Sequence, residues 1–318
     1  MTPTQRPIEI GLNAAIVAVA ERQPLILVVN GDTLPFGPFD PLAHRTFEAG
    51  LRAWVAEQTA LKLGYAEQLY TFGDRGRHAL PGDVGPHLVS VGYLALARID
   101  EEPSESLARA GASWRRWYEF FPWEDWREGR PAILDERLLP ALQRWTATRD
   151  DDMGGPLGRR ERIGLAFGGD GARWDEERAL DRYELLYEAG IVAEAGRDGR
   201  EAKDARLAVT TGLSMRFDHR RILATAISRL RAKLKYRPVV FELMQEEFTL
   251  TELQETVEAI AGRHVHKQNF RRLVEGAALV EPTGETTRRG RGRPAALFRF
   301  RREVLKERPS PGVRFGVR

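Results

Sequence analysis

The chain has 318 residues, enough for two domains with separate cores. It contains no cysteine, which excludes disulfides, thiolate metal sites and cysteine nucleophiles. Net charge is only +3, but from His219 to Arg318 22 Lys and Arg stand against 11 Asp and Glu (+11), leaving 27 against 35 (−8) for the rest. A basic module on an acidic body points to a polyanionic partner for the C-terminal part; charge alone also fits a solvated face with no partner. No stretch approaches the roughly 20 apolar residues of a membrane span, and the N-terminus lacks a signal-peptide layout, so a cytoplasmic protein with no membrane contact is expected.

In chain order, Ile10 to Val29 reads as a β-hairpin, with apolar runs Leu12–Val19 and Leu25–Val29 around a turn at Glu21–Pro24. Asn30-Gly31-Asp32 marks another turn and 35–41 a Gly/Pro loop. His44 to Leu63 reads as a helix with Phe47, Leu51, Trp54, Val55 and Leu61 on its apolar stripe. Tyr65–Phe72 and Leu88–Ile99 read as strands. The four tryptophans between Trp114 and Trp126 fit a core or a dimer interface better than a ligand cage, and Arg137–Thr148 reads as a helix. Asp150-Asp151-Asp152 and the Gly-rich segments 154–158 and 168–171 read as loops or linkers. Glu176–Ala189 and Phe217–Leu234 are amphipathic helices, possible levers or dimer contacts.

Toward the C-terminus the signals sharpen. Pro238–Met244 reads as a short helix, and Thr249 with Glu252 forms a capping box for a helix ending at Gly262. A third helix starts near His264–His266 and buries Phe270, Leu273, Val274 and Ala277. Short strands at Ala278–Val280 and Ala296–Phe300 enclose a Gly/Arg loop. Three short helices followed by a two-stranded wing make a winged helix-turn-helix. The third helix offers Lys267, Gln268, Asn269, Arg271 and Arg272, the residue types that read guanine and adenine edges. His264 and His266 read as start residues of the third helix near phosphate, and Thr251, at the start of the second, is a further DNA-contact candidate. His264 and His266 have no further metal-ligand candidates beside them. The wing adds Arg288, Arg289, Arg291, Arg293, Arg299, Arg301 and Arg302 with no acidic residue from Thr286 to Arg302, a composition suited to phosphate neutralisation and, at Arg291-Gly292-Arg293-Pro294, to a narrow minor groove.

Three N-terminal segments resemble the Nudix fold: Leu34-Pro35-Phe36-Gly37, Glu57-Gln58-Thr59-Ala60-Leu61, and Glu67–Asp74 with Val89–Tyr93. Together with 241–254, 267–272 and 291–294, they make the chain similar to the Nudix-related transcriptional regulators of NAD metabolism, over about residues 8–100 and 230–302. The resemblance implies an α/β (α+β) fold in three parts: a Nudix-like α/β/α sandwich for ligand sensing (1–149), a helical connector (150–215) and the winged helix-turn-helix (216–318). A working Nudix box ends in Arg-Glu-hydrophobic-x-Glu-Glu-x-Gly, whose carboxylates hold divalent cations. Here Ala53 and Trp54 stand for Arg-Glu, Gln58 for the second metal-binding Glu and Ala60 for Gly, and the loop from Gly37 to Ala53 is two residues longer than the pattern. Glu57 is left as the lone box carboxylate, since Glu48 lies nine residues earlier. The expectation is therefore no catalytic residue, no metal and no cofactor. What remains is a cleft for an NAD-related nucleotide such as ADP-ribose, with Glu57, Tyr70, Phe72, Arg75, Arg77 and His78 as contacts. Each of these also fits a surface ion pair or a core aromatic. The functional expectation is a homodimeric DNA-binding repressor of NAD biosynthesis or salvage genes that recognises a double-stranded operator. A weak Nudix pyrophosphatase is the alternative, and a winged helix used only for protein contacts a third.

Overall fold

The computed structural model describes residues 7–74, 77, 85–99, 105–147, 157–169, 171–198, 211–287 and 294–307. Its centre is β1 (Ile8–Ala20), which pairs in parallel with β5 (His87–Leu96) and antiparallel with β2 (Gln23–Val29) and β3 (Phe36–Pro38). Outside these lie β4 (Ala66–Phe72), against β5, and β6 (Ala112–Arg116), against β2. The sheet order is β4-β5-β1-β2-β6. Leu12–Ala18 is buried on both faces, which is why the strand reads as a continuous apolar run rather than an alternating one. Leu12, Ala14 and Ile16 pack toward Leu51 and Val55 of α1 (Phe47–Thr59). Ala15 and Val17 belong instead to the core that includes Phe72, Trp117 and Ile222.

Boundaries differ from the sequence reading where side chains claim the backbone. The hairpin turns at Glu21 and Arg22 alone, both left-handed (φ 49° and 61°), and Pro24 lies in β2 opposite Val19. Helix α1 is shorter than 44–63. Thr46 caps it by accepting from the Ala49 N–H at 3.1 Å, and Ala60 stops it at φ 57° without the glycine that this conformation favours. After α2 (Glu105–Arg109) and β6, two 3₁₀ turns, Trp117–Glu119 and Pro122–Glu124, bury Trp117 and Trp123 completely, so these two are core. A π turn at Leu134–Leu138 runs into α3 (Leu139–Thr146).

The 150–215 stretch contributes α4 (Arg159–Phe167), α5 (Ala179–Glu188, entered by a 3₁₀ turn at Glu176–Arg178) and α6 (Ala193–Arg197); Asp150–Asp152 lie outside the described residues. Helix α7 (His219–Leu234) packs against the sheet on one side and α5 on the other. A 3₁₀ turn (Val239–Glu242), α8 (Leu250–Ala261), α9 (Lys267–Gly276), β7 (Val280–Thr287), β8 (Ala295–Phe300) and α10 (Val304–Glu307) complete the chain. The capping box forms in both directions, Glu252 N–H to Thr249 Oγ1 at 3.1 Å and Thr249 N–H to Glu252 Oε2 at 2.7 Å. The first wing strand lies later than expected because Ala278 (φ 47°) ends the helix and Leu279 turns into the core. Pairing then runs from Val280 with Phe300 to Thr287 with Ala295, and Phe248 adds a bridge to Phe298.

One buried ionic group joins these parts. Glu124 is fully buried between Arg182 of α5 (Nε–Oε1 2.6 Å, Nη2–Oε2 2.9 Å) and Arg231 of α7 (Nη1–Oε2 2.5 Å), both fully buried too. Burial pushes the Glu124 carboxyl up, but the two guanidiniums outweigh it and hold it below the usual carboxylate range. Replacing Glu124 with Gln leaves two guanidiniums without a counter-charge; urea unfolding is expected to show a loss of about 3–5 kcal/mol, and a loss below 1 kcal/mol would contradict this account. Ala60→Gly is expected to gain about 0.5–1 kcal/mol by relieving the left-handed alanine; a loss of stability in the same titration would refute it.

Candidate nucleic-acid interface and ligand site

Helices α8 and α9 form a helix-turn-helix whose turn is held by one carboxylate. Glu258 accepts from the Val265 N–H at 3.0 Å, from Gln254 Nε2 at 2.8 Å and lies 2.7 Å from His264 Nδ1. Burial raises the Glu258 carboxyl, yet these hydrogen bonds bring it below its ordinary range. His264 thus belongs to the turn rather than to a phosphate contact, while His266 is the exposed N-cap of α9. Phe270 and Val274 anchor α9 in the core. Lys267, Gln268, Asn269, Arg271 and Arg272 are all exposed, as is Thr251 on the first turn of α8. The structure therefore brings the expected recognition residues together on one solvent face. Arg272 reaches Asn269 Oδ1 at 3.5 Å, a weak contact that a base edge can displace.

In the wing, Arg299 pairs across strands with Glu281 at 2.6 Å and Arg301 Nε donates to the Ala278 carbonyl at 2.9 Å. Two of the three described wing arginines thus have intramolecular work. Arg302 is exposed, and Arg288, Arg289, Arg291 and Arg293 lie outside the described residues.

The end of α8 is docked into the N-terminal body. Tyr118 donates to the Ala259 carbonyl (2.7 Å), Arg231 Nε to the Ile260 carbonyl (2.9 Å) and the Trp126 N–H to the Gly262 carbonyl (2.7 Å). Gly262 sits at φ 72°, and a Cβ there would run into the Glu124 carbonyl. Arg263 pairs with Glu176 at 3.1 Å, and Arg22 at the hairpin tip lies 3.5 Å from Glu255. Sequence reasoning did not single out Glu124, Arg182 or Arg231, although Arg220 and Arg231 fall on the apolar stripe of α7 at positions i and i+11 with Ala224 and Ile227.

The expected ligand contacts do not converge. Glu57 is exposed on α1, on one side of the sheet. Phe72 belongs to the core on the other side at 2% exposure, with the Arg221 guanidinium 5.2 Å above its ring, so it is not an open ligand surface. Arg77 is committed to protein partners: both guanidinium nitrogens reach Glu184 (3.1 and 2.7 Å), Asp218 lies 3.6 Å away, and the group stacks on Tyr187. Arg221 shares this cluster, bridging Glu184, Asp218 and Asp74. Burial pushes the Asp218 carboxyl up to about 6 against the pull of Arg221 and Arg77. Tyr70 is 61% exposed on the edge strand β4 and is the one described aromatic of the set open to solvent. Arg75 and His78 lie outside the described residues.

At the box positions other chemistry appears. Gln58 accepts from the Phe36 N–H (3.1 Å) and donates to the Phe36 carbonyl (2.6 Å), a two-way clamp that a carboxylate cannot make. Trp54 covers Gly37, where a Cβ would strike its ring, and donates to the Pro38 carbonyl at 2.9 Å. Ala60 has the left-handed backbone at the position of the pattern's glycine. Among the described residues no group of three or more His, Asp or Glu is arranged to hold a metal ion, and no helix is long and apolar enough to cross a membrane.

Residues 240–300 match the family model described as the NrtR DNA-binding winged helix domain. A curated relative, the ADPR responsive transcriptional repressor NtrR of Acinetobacter baylyi, is 41% identical over 88 residues, 28% of this chain and 35% of that protein, so the match spans about a third of the relative's length. Shewanella oneidensis NrtR, solved in complex with a 27mer DNA and also alone, superposes in both structures with a TM-score of 0.53 at 20% identity, over 93% of this chain and 95% of that one. The chain therefore carries an NrtR-type DNA-binding winged helix domain at residues 240–300, within an overall fold shared with NrtR.

Proposed function

We propose that the protein is a cytoplasmic, homodimeric transcription regulator, a repressor of NAD biosynthesis or salvage genes. Its winged helix binds a double-stranded operator, and an NAD-related nucleotide such as ADP-ribose, bound by the N-terminal domain without hydrolysis, changes that affinity. The observation that carries the reading is the exposed face of α9, where Lys267, Gln268, Asn269, Arg271 and Arg272 stand free of the core on a helix whose other face is fixed by Phe270 and Val274. Such a face presents both guanine-reading and adenine-reading groups to a major groove. Similarity to the ADPR responsive repressor of Acinetobacter baylyi supports ADP-ribose as the effector and repression as the sign. Against hydrolysis stand the occupants of the box: Trp54 and Gln58 hold the β3 loop by hydrogen bonds, leaving Glu57 without a second carboxylate from the motif.

Fluorescence anisotropy on the protein's own upstream DNA, with ADP-ribose, NAD and ATP added in turn, tests the reading. A tenfold shift in DNA affinity with one nucleotide, about 1.4 kcal/mol of coupling, is expected. Tight DNA binding that ignores all three would remove the sensor role, and Mg²⁺-dependent turnover of ADP-ribose would restore the hydrolase. Replacing Arg271 and Arg272 with Ala should erase the preference for operator over random DNA, whereas replacing Arg291 and Arg293 should weaken both and reduce the salt slope. Equal loss on both DNAs in the α9 variant would sink the recognition-helix assignment.

A further inference from the structure

Helix α7 touches both halves of the molecule, and each of its ends is held by a different set of bonds. At its N-terminal end the segment before the helix is seated on the loop that opens the Nudix-like box. The Arg216 N–H donates to the Asp32 carbonyl at 2.9 Å and its Nε lies 3.2 Å from Asp32 Oδ2. The Leu34 N–H donates to the buried His219 Nδ1 at 2.9 Å. The rings of Phe36, Phe217 and His219 form a mutual trio with centroids 5.1–5.2 Å apart. Phe217 holds φ 54° while 37% exposed. A bulky side chain in left-handed backbone is strained and persists only where surrounding contacts fix it. Phe36 in turn is gripped at its N–H and C=O by Gln58 of α1.

At the other end Arg231 donates to the carbonyls of Ile260, Glu176 and Glu124 while pairing with the Glu124 carboxylate. Ile260 lies in the last turn of α8, immediately before the turn into α9. Sixteen helical residues span about 24 Å between the two ends, and most of the helix is buried, so close packing holds it as a rod with little freedom to bend.

We propose that α7 is the link that transmits ligand binding to the DNA-binding helices, with Phe217 and His219 as its seat on the Asp32–Phe36 loop and Arg231 as its grip on the end of α8. This rests on the reading of a ligand-controlled regulator. Its content is the route: a ligand that shifts the Asp32–Phe36 loop moves the seat of the rod, and the rod carries Ile260 and Gly262 with it, changing the setting of α9. These are positioning residues.

The test uses the full chain and two variants. Phe217→Gly keeps the positive φ and removes the ring; Arg231→Lys keeps the charge and loses the planar fork of donors. Amide hydrogen exchange of the ligand-free protein comes first. At the amides of Gly262 and Trp126, which close the α8 end, exchange in Phe217→Gly is expected to rise tenfold or more, while amides in the β1–β5 ladder stay unchanged. That pattern separates transmission along the rod from general loss of stability. Second, ADP-ribose should bind the DNA-free variants within twofold of the parent, yet its effect on DNA affinity should fall from tenfold or more to less than threefold. Unchanged exchange at Gly262 and Trp126 in Phe217→Gly overturns the proposal, as does full nucleotide coupling in both variants. If the parent protein shows no nucleotide effect but the exchange pattern appears, the route stands and the ligand-control reading falls instead.

Discussion

Two guanidiniums share one carboxylate in the interior, and the arithmetic of that site dictates where the winged helix must sit. Arg182 and Arg231 bring two positive charges to the single negative charge of Glu124, all three fully buried. A net positive charge in a dry interior is costly unless further dipoles meet it. Arg182 is met by the Ala166 and Asp175 carbonyls and stacks 3.8 Å from the Trp174 ring. For Arg231 the compensation comes from the Glu176 and Glu124 carbonyls and from the Ile260 carbonyl, at the C-terminal end of α8. That end of a helix carries roughly half a negative charge. The first helix of the DNA-binding motif is therefore part of the electrostatics of the core, and withdrawing it would cost Arg231 one of its three carbonyl partners beside the shared carboxylate.

The same junction explains why one glycine recurs in the account. Gly262 ends α8 in the left-handed conformation and lies against the Glu124 carbonyl, the Tyr118 hydroxyl and Arg231 Nη2 with no room for a Cβ. The turn that follows is stapled by Glu258 to Val265 and His264, so α9 begins at a fixed distance from Arg231. Docking at α8 thus fixes where α9 starts while leaving its outer face open to solvent.

Much of this was legible in the sequence, for identifiable reasons. The capping box at Thr249 and Glu252, the apolar anchors Phe270 and Val274, and the run of β1 are short-range patterns, and each dictates its own local structure. What escaped was long-range. Arg182 and Arg231 were not singled out, since pattern reasoning assigns charge to solvent by default; their spacing with the apolar residues of α5 and α7 was the signal. Likewise Arg77 and Phe72 had the right chemistry for a nucleotide but partners elsewhere in the chain, Glu184 at 107 residues' separation and the core beside α7. The wing strand was placed early because nothing in the sequence announces the left-handed Ala278.

The box positions show how a degenerate motif can keep a mechanical use. Where the pattern has metal-binding carboxylates, Trp54 and Gln58 donate to the Pro38 and Phe36 carbonyls. Gln58 is the more telling, because an amide, unlike a carboxylate, can both donate to and accept from one residue's backbone, and that residue, Phe36, rests on Phe217 and His219. A glutamate there would hold a cation but release the Phe36 carbonyl. The substitution that argues against hydrolysis is thus also the contact that ties α1 to the seat of α7. The departure from the metal-binding pattern and the tethering of Phe36 to α1 meet in the same side chain.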